Sequence, residues 1–382
     1  MRSYIITILF LLILWLGTAG NGQAQKFTMN GYVSNMQSVM FEEIDGVWFS
    51  ENLFHNRLNF KFYATDKLVF NMELRNRLIY GDFVKTIPGY SDFVSSDAGY
   101  FDLSWLIANE PSFLLHTTID RLYLDYSIGQ FQIRLGRQRI NWAQNLVWNP
   151  NDIFNAYSYF DFDYAERPGG DALRIQYYAG SSSSLELAVK IDSSSKITGA
   201  GKYLFGVSGY DIQVLGGVLS GEDLVFGTGW SGNIKGAAFR GEFSWFHSLE
   251  NTHKEEFMIS VSSDYTFKNS LFFGLEFLYS NIDYDYNSFG EFYFTTLSVK
   301  NIAFTDINLM AQVSYPFTPL FMGSFAAIYY PSEKGFFMGP SMEYSLKENL
   351  SLYFVLQHFR GKFDSDSIQK TSFAFLRLKW NF

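Results

Sequence analysis

The chain has no cysteine. That removes disulfides, thiolate-held metals and a lipid-modified N-terminal cysteine together. Beyond the N-terminus it also lacks any apolar run of about 18 residues, so a helical membrane span is excluded. Positive charge is in deficit: 29 Lys and Arg stand against 38 Asp and Glu, a net charge of −9. Such a balance repels phosphate and argues against a nucleic-acid partner, while it suits acidic outer loops. No like-charge run or low-complexity tract stands out beyond Ser181–Ser184. There is no His-x-x-x-His pair and no Gly-x-Ser-x-Gly elbow around His55, His116, His247, His253 or His358, so neither a metal site nor a serine hydrolase is expected. Asp283-Tyr284-Asp285 and Asp364-Ser365-Asp366 read as solvated turns, and no cofactor is expected.

What is present is a leader and an excess of aromatics. Arg2, the apolar run Ile5–Leu16 and the small residues of Gly22-Gln23-Ala24 read as a secretory signal peptide over 1–24, cleaved after Ala24. Residues 25–382 then form a single domain. Aromatics make up 19% of the chain, with 41 Phe and 25 Tyr. A soluble core has no use for so many, whereas a transmembrane barrel places them in girdles at the two membrane surfaces.

The dominant pattern is alternation with period two. Leu68, Phe70, Met72 and Leu74 point one way and Val69, Asn71, Glu73 and Arg75 the other. Leu58, Phe60 and Phe62 alternate with Arg57, Asn59 and Lys61, and Leu185, Leu187 and Val189 with Glu186, Ala188 and Lys190. The alternating segments suit tilted membrane strands rather than globular ones. Tight connections (Thr65-Asp66-Lys67, Ile128-Gly129-Gln130, Lys268-Asn269-Ser270, Lys347-Glu348-Asn349) take turns with long ones near 81–118, 138–170 and 281–305. This is the rhythm of short periplasmic turns and long outer loops. The expectation is an all-β, antiparallel transmembrane barrel of 18 strands, with 16 as the alternative and 192–222 as its least marked stretch. Both termini fall on the periplasmic side. The last strand ends on Phe382, with Trp380, Leu378, Leu376 and Ala374 on its face; such an ending resembles the signal read by the barrel-assembly machinery of bacterial outer membranes.

With apolar residues toward lipid, the alternate positions line the lumen. There the cations Arg57, Lys61, Arg75, Arg77, Arg121, Arg134, Arg174 and Lys190 outnumber Glu73, Asp125 and Glu186 in the first half of the chain. The second half balances Arg240, Arg377 and Lys379 against Glu242, Glu276 and Glu343. A basic wall favours anions; mixed wall charge with no preference is the plain alternative. Gly136 is read as a bulge that turns Arg137 and Arg139 inward. The segment 138–170 is long, aromatic and acidic. Two placements fit it: a constriction folded into the lumen, carrying Trp142, Trp148, Asp152, Asp161, Asp163 and Glu166, or an outer loop sealing the rim.

The stretch Leu135–Trp142, with its Gly-Arg-Gln followed by Trp, resembles the signature of the alginate-export and porin-like outer-membrane barrels, especially those of Bacteroidetes-type bacteria. Tyr315–Leu320 and Pro340–Leu350 resemble later strands of the same group. The resemblance implies a monomeric pore with a basic lumen that conducts anions, and marks Arg134, Arg137 and Arg139 as lumen residues. Ala143 departs from the glycine expected after that Trp, and the alginate substrate is not carried over. The functional expectation is a non-enzymatic porin-type channel of a Gram-negative outer membrane, passing small hydrophilic, anionic solutes. Its expected partners are outer-membrane lipid, lipopolysaccharide, and small solutes or an acidic saccharide. Export or surface attachment of an acidic polysaccharide is one alternative, and an integral lipid-modifying enzyme is another. No plug domain precedes the first strand near residue 27, so energised uptake is not expected.

Overall fold

Side chains that a water-soluble protein would bury are on the outside. Phe54, Leu124, Leu135, Leu173, Leu187, Leu275 and Leu376 are all exposed, while their strand neighbours on the opposite face, such as Arg57, Glu242 and Ser260, are fully buried. In lipid every backbone group must find a partner within the protein, so a sheet with this outer face has to close. It does. In this computed structural model, residues 26–161, 164, 166–284, 286, 288–295, 297–362 and 368–382 are described. The leader expected over 1–24 lies outside them, as do Asp163, Asp285, Asp364 and Asp366 of the segments discussed above.

Nineteen antiparallel strands run in chain order from β1 (Phe27–Phe41) to β19 (Ile368–Asn381). The wall closes where β1 pairs with β19, from Tyr32↔Asn381 to Phe41↔Ser372, and Gly31 and Phe382 exchange backbone hydrogen bonds beyond it. Eighteen strands go round, because β4 (Ser104–Glu110) lies outside the circuit: β5 (Phe113–Ile128) pairs directly with β3 (Leu68–Gly81). All eighteen expected strands are present. Even the Gly- and Ser-rich stretch folds as β9 (Ile197–Val207) and β10 (Tyr210–Leu219). Eight short turns share one end with both termini, and the longer connections occupy the other.

Two features differ from the expectation. The segment 81–118 is not one loop. It holds α1 (Asp82–Thr86), α2 (Tyr90–Ser95), β4 and the first residues of β5. The cause is the short β6 (Phe131–Gln138), which reaches only as far as Leu122 on β5. The edge of β5 above that point would be left with unpaired backbone groups, and β4 takes it, from Ser104↔Thr118 to Glu110↔Phe113. Nor is there a register break at Gly136, whose neighbours pair continuously with β5 and with β7 (Gly170–Tyr178). Gly136 has φ 118°, and a Cβ there would sit 2.2 Å from the Leu122 carbonyl oxygen. The bulge lies in β5 instead. The register with β3 shifts between Glu73 and Leu74, so that consecutive residues Asp120 and Arg121 both bury their side chains.

The interior holds an apolar cluster of its own. Phe160, from the connection between β6 and β7, meets Phe289 of α3 (Phe289–Phe294) at 5.3 Å and Phe337 of β17 (Gly335–Lys347) at 5.0 Å. Phe289 stacks on Phe359 of β18 (Leu350–Lys362) at 4.2 Å. Two of the long connections therefore fold back into the barrel on aromatic contacts.

Candidate functional site

The connection 139–169 crosses the lumen, and its contacts trace the path. Trp142 donates its indole N–H to Glu186 of β8 (Ser184–Ile191) at 2.6 Å, and its carbonyl accepts from Gln213 of β10 at 3.1 Å. Gln144, Asn145 and Asn151 donate backbone N–H groups to the Glu242 carboxylate of β12 (Ala237–Ser248), Asn151 at 2.9 Å. Val147 and Trp148 donate theirs to Glu276 of β14 (Phe272–Ser280), at 2.9 and 2.6 Å. Further on, Gln357 of β18 donates to the Phe160 carbonyl at 3.1 Å. Glu166 accepts from Tyr32 of β1 at 3.3 Å, and its carbonyl accepts from Arg121 of β5 at 2.7 Å. These bonds run from one segment to strands β1, β5, β8, β10, β12, β14 and β18.

An irregular loop cannot satisfy its own backbone. Here two buried wall carboxylates, Glu242 and Glu276, substitute for a hydrogen-bonded ladder, and a third, Glu186, takes the Trp142 indole N–H. They accept N–H groups from a chain that passes close enough to need gaps in the wall. Gly227 and Gly229 of β11 (Asp223–Ile234) provide them: a Cβ on Gly227 would stand 2.5 Å from Asn151 Oδ1, and one on Gly229 2.6 Å from Gln144 Oε1. Glu186, Glu242 and Glu276 are legible in the sequence as inward acids. Their role as acceptors for one loop is not, because the donors are 44 to 129 residues away.

The basic positions divide into three groups. The first is neutralised by direct pairing. Arg57 bonds both Glu73 and Asp120. Arg134 bonds Asp125, and Arg174 bonds Glu186 at 2.8 Å. Arg137 is held by Asp97 at 2.6 Å, Asp171 at 3.0 Å and the Phe101 carbonyl. It clamps the 96–103 segment to the wall, and the inward turn expected of it is not made, for want of the bulge at Gly136. The second group lies against carbonyls or rings. Arg77 reaches the Val94 carbonyl, Lys190 the Phe154 carbonyl, and Arg75 lies over the Tyr164 ring at 3.8 Å. Lys61 is exposed near the short-turn end.

The third group carries net charge into the lumen. Arg139 feels Arg167 and Arg121 on one side and Asp152 on the other. Arg121 is capped only by backbone carbonyls, and Arg167 lies on the Tyr157 ring. None of the three makes an ion pair among the described residues. Arg167 was not among the expected site residues. It sits in the Glu-Arg-Pro-Gly-Gly exit of the loop, where no alternation marks a face. Asp120 was missed for a similar reason, since the bulge moves it to the inner face.

Of the loop acids, Asp161 accepts from the Tyr164 N–H at 3.3 Å and Glu166 bonds Tyr32. Asp152 is buried, and its Oδ1 accepts the Trp142 N–H at 3.0 Å. Loss of water raises its carboxyl to about 7, against the pull of that N–H and of Arg139, Arg167 and Lys202. A carboxyl raised in the folded state contributes stability below its unfolded value near 3.8 that is lost as pH climbs through 7. Loop docking is therefore expected to loosen between pH 4 and 8, read as rising current noise in single-channel traces. Asp152→Asn is expected to make that profile less steep; an unchanged profile would remove Asp152 from the account.

Two Ser–His contacts bear on the enzyme alternative. Ser104 Oγ lies 2.6 Å from His116 Nε2, but Arg77 donates to His116 Nδ1 at 3.0 Å. The imidazole proton is thereby placed on Nε2, facing the serine, and Ser104 gives its own proton to the Ser95 carbonyl at 2.7 Å. This is the reverse of a base drawing a proton from a nucleophile. His358 Nδ1 meets Ser372 Oγ at 2.9 Å. Among the described residues neither imidazole bonds a carboxylate, and no group of three or more His, Cys, Asp and Glu residues is arranged to hold a metal.

No family model matches the chain, and no curated protein does. The alginate-export side of the resemblance therefore finds no counterpart. Solved structures match well in shape. OccK11 (OpdR) of Pseudomonas aeruginosa superposes with TM-score 0.60 at 12% identity, over 95% of this chain and 97% of that one. OccAB4 of Acinetobacter baumannii gives 0.60 at 10% identity, over 95% and 100%. OccK8 (OprE) of Pseudomonas aeruginosa gives 0.59 at 11%, over 95% and 99%. At such identities the likeness is one of fold: a closed antiparallel barrel of eighteen wall strands.

Proposed function

We propose that this protein is a porin-type channel of a Gram-negative outer membrane that passes small hydrophilic solutes and prefers anions. The observation that carries the reading is the loop 139–169. A barrel of this strand number leaves an aqueous interior. Wall carboxylates hold a polar segment across that interior, and Arg121, Arg139 and Arg167, which make no ion pair among the described residues, stand beside it. The fold supports the reading, because the structural neighbours are outer-membrane porins of the Occ and Opd groups. The Ser104–His116 geometry weighs against the lipid-modifying alternative.

Arginine side chains that are not neutralised lower the energy of an anion in the constriction and raise that of a cation. The purified protein in a planar bilayer under a potassium chloride gradient is expected to give discrete openings with a reversal potential of anion-selective sign. A closed bilayer, or a potential of the opposite sign, would sink the reading.

A further inference from the structure

The outer face of the wall changes character along β1, β2 (Trp48–Tyr63), β3 and β5, which are neighbours in the sheet. From β6 to β19 the outward positions in the apolar band are almost all aliphatic or aromatic. Beside outward glycines such as Gly199, Gly201 and Gly241, the polar exceptions bond within the wall: Thr228 donates to the Gln213 carbonyl at 3.1 Å, Ser263 donates to the Ala238 carbonyl at 2.9 Å, and toward the long loops His358 Nδ1 meets Ser372 Oγ at 2.9 Å. On the four neighbouring strands the mid-height outward positions are instead Asn35, Gln37, Asn52, Asn56, Asn76 and Thr117, with Phe54 set among them. They bond one another across the strands. Thr117 donates to Asn76 at 2.8 Å, Asn76 to Asn56 at 3.1 Å, Asn35 to Asn52 at 2.9 Å, and Asn52 to Gln37 at 3.0 Å. Apolar residues flank the stripe on the same face: Val33, Leu58 and Leu74 toward the short turns, Val39, Leu78 and Leu115 toward the long loops. The stripe is thus in the membrane band, not above it.

Acyl chains have nothing to offer these groups. An amide carries two N–H donors, and Asn35, Asn56 and Asn76 each use one within the wall. Among the described residues the second N–H of each meets no acceptor, and acyl chains offer none. Polar groups at mid-bilayer in other membrane proteins mark contacts with protein. We propose that β1–β5 is the face through which copies of this chain associate in the membrane. A second copy is the occupant that fits. Amides are donors and acceptors at once, so the stripe is complementary to itself. Copies inserted in one orientation also bring their stripes to the same depth with no further matching. Trp105 of β4, paired with Thr117 and 42% exposed, extends the patch with an aromatic anchor toward its outer edge. The proposal stands independently of the channel reading, and it departs from the monomer that the sequence resemblance implies.

The full-length protein, extracted in mild detergent, is expected to elute as an assembly of two or more copies by light scattering, and to cross-link to the same size in intact membranes. Asn35→Leu, Asn56→Leu and Asn76→Leu combined are expected to weaken association on the order of a hundredfold, on the usual strength of such bonds in lipid. Leu275→Ala on another sector of the wall should change nothing. Heat modifiability on gels reports whether each variant closes. A wild type that is monomeric in both measurements, or a closed triple variant that assembles like it, overturns the proposal. A second measurement needs no triple variant. Because the chain lacks cysteine, a fluorophore on N56C or on L275C can be exposed to brominated lipid. Quenching at 275 with shielding at 56 is expected, and equal quenching overturns the interface.

Discussion

Replacing Glu242 and Glu276 together by alanine is expected to release the loop 139–169 from the wall and raise the single-channel conductance severalfold, with marked flicker. The two carboxylates accept backbone N–H groups from Gln144, Asn145, Asn151, Val147 and Trp148. Each buried donor left without an acceptor costs about 1–3 kcal/mol. Five together exceed what the aromatic contacts at the far end of the loop, such as Phe160 on Phe337, contribute at about 0.5–1.5 kcal/mol per pair. The loop should then exchange its docked position for solvated ones. The wall itself should survive, since its strands pair through their backbones, and the heat-modified gel shift should persist. Trypsin should cut the freed segment after Arg139, where the wild type resists. An unchanged conductance in a closed barrel would show that the carboxylates do not hold the constriction.

The second large effect concerns selectivity. Changing Arg121, Arg139 and Arg167 together to glutamine is expected to move the reversal potential from the anion-selective side to zero or beyond. Among the described residues these three make no ion pair, and Asp152 is the carboxylate whose field Arg139 feels. The sequence alone marks Arg121 and Arg139 as members of a longer ladder, on the same footing as Arg75, Arg134 and Arg174, and does not mark Arg167. Arg134 and Arg174, however, are matched by Asp125 and Glu186. Removing a matched pair, as in Arg134→Gln with Asp125→Asn, leaves the net charge of the wall unchanged and should leave the reversal potential where it was. If the paired double variant shifts selectivity as far as the arginine triple does, the division into neutralised and active cations fails.

Much of the barrel was legible residue by residue. The outward set of Leu68, Phe70, Met72 and Leu74, the tight turns at 65–67 and 129–130, and the terminal strand ending on Trp380 and Phe382 all follow from period-two alternation and turn chemistry. Each of these is a statement about residues one or two apart. The alternation even predicted the inward acids Glu186, Glu242 and Glu276. It did not show what they accept.

What the sequence determined by itself is the wall: eighteen strands, their faces, and the end at which the short turns lie. A strand's inside and outside are decided within the strand, by whether each side chain prefers acyl chains or water. Only the tertiary structure decided the contents of that wall. The carboxylates acting on a loop about a hundred residues away, the bulge at Asp120, the strand Ser104–Glu110 on an edge left open by a short neighbour, and the separation of paired from unpaired arginines all depend on which strands stand opposite one another across the lumen. Such contacts are made through the closed ring, and periodicity along the chain carries no record of them.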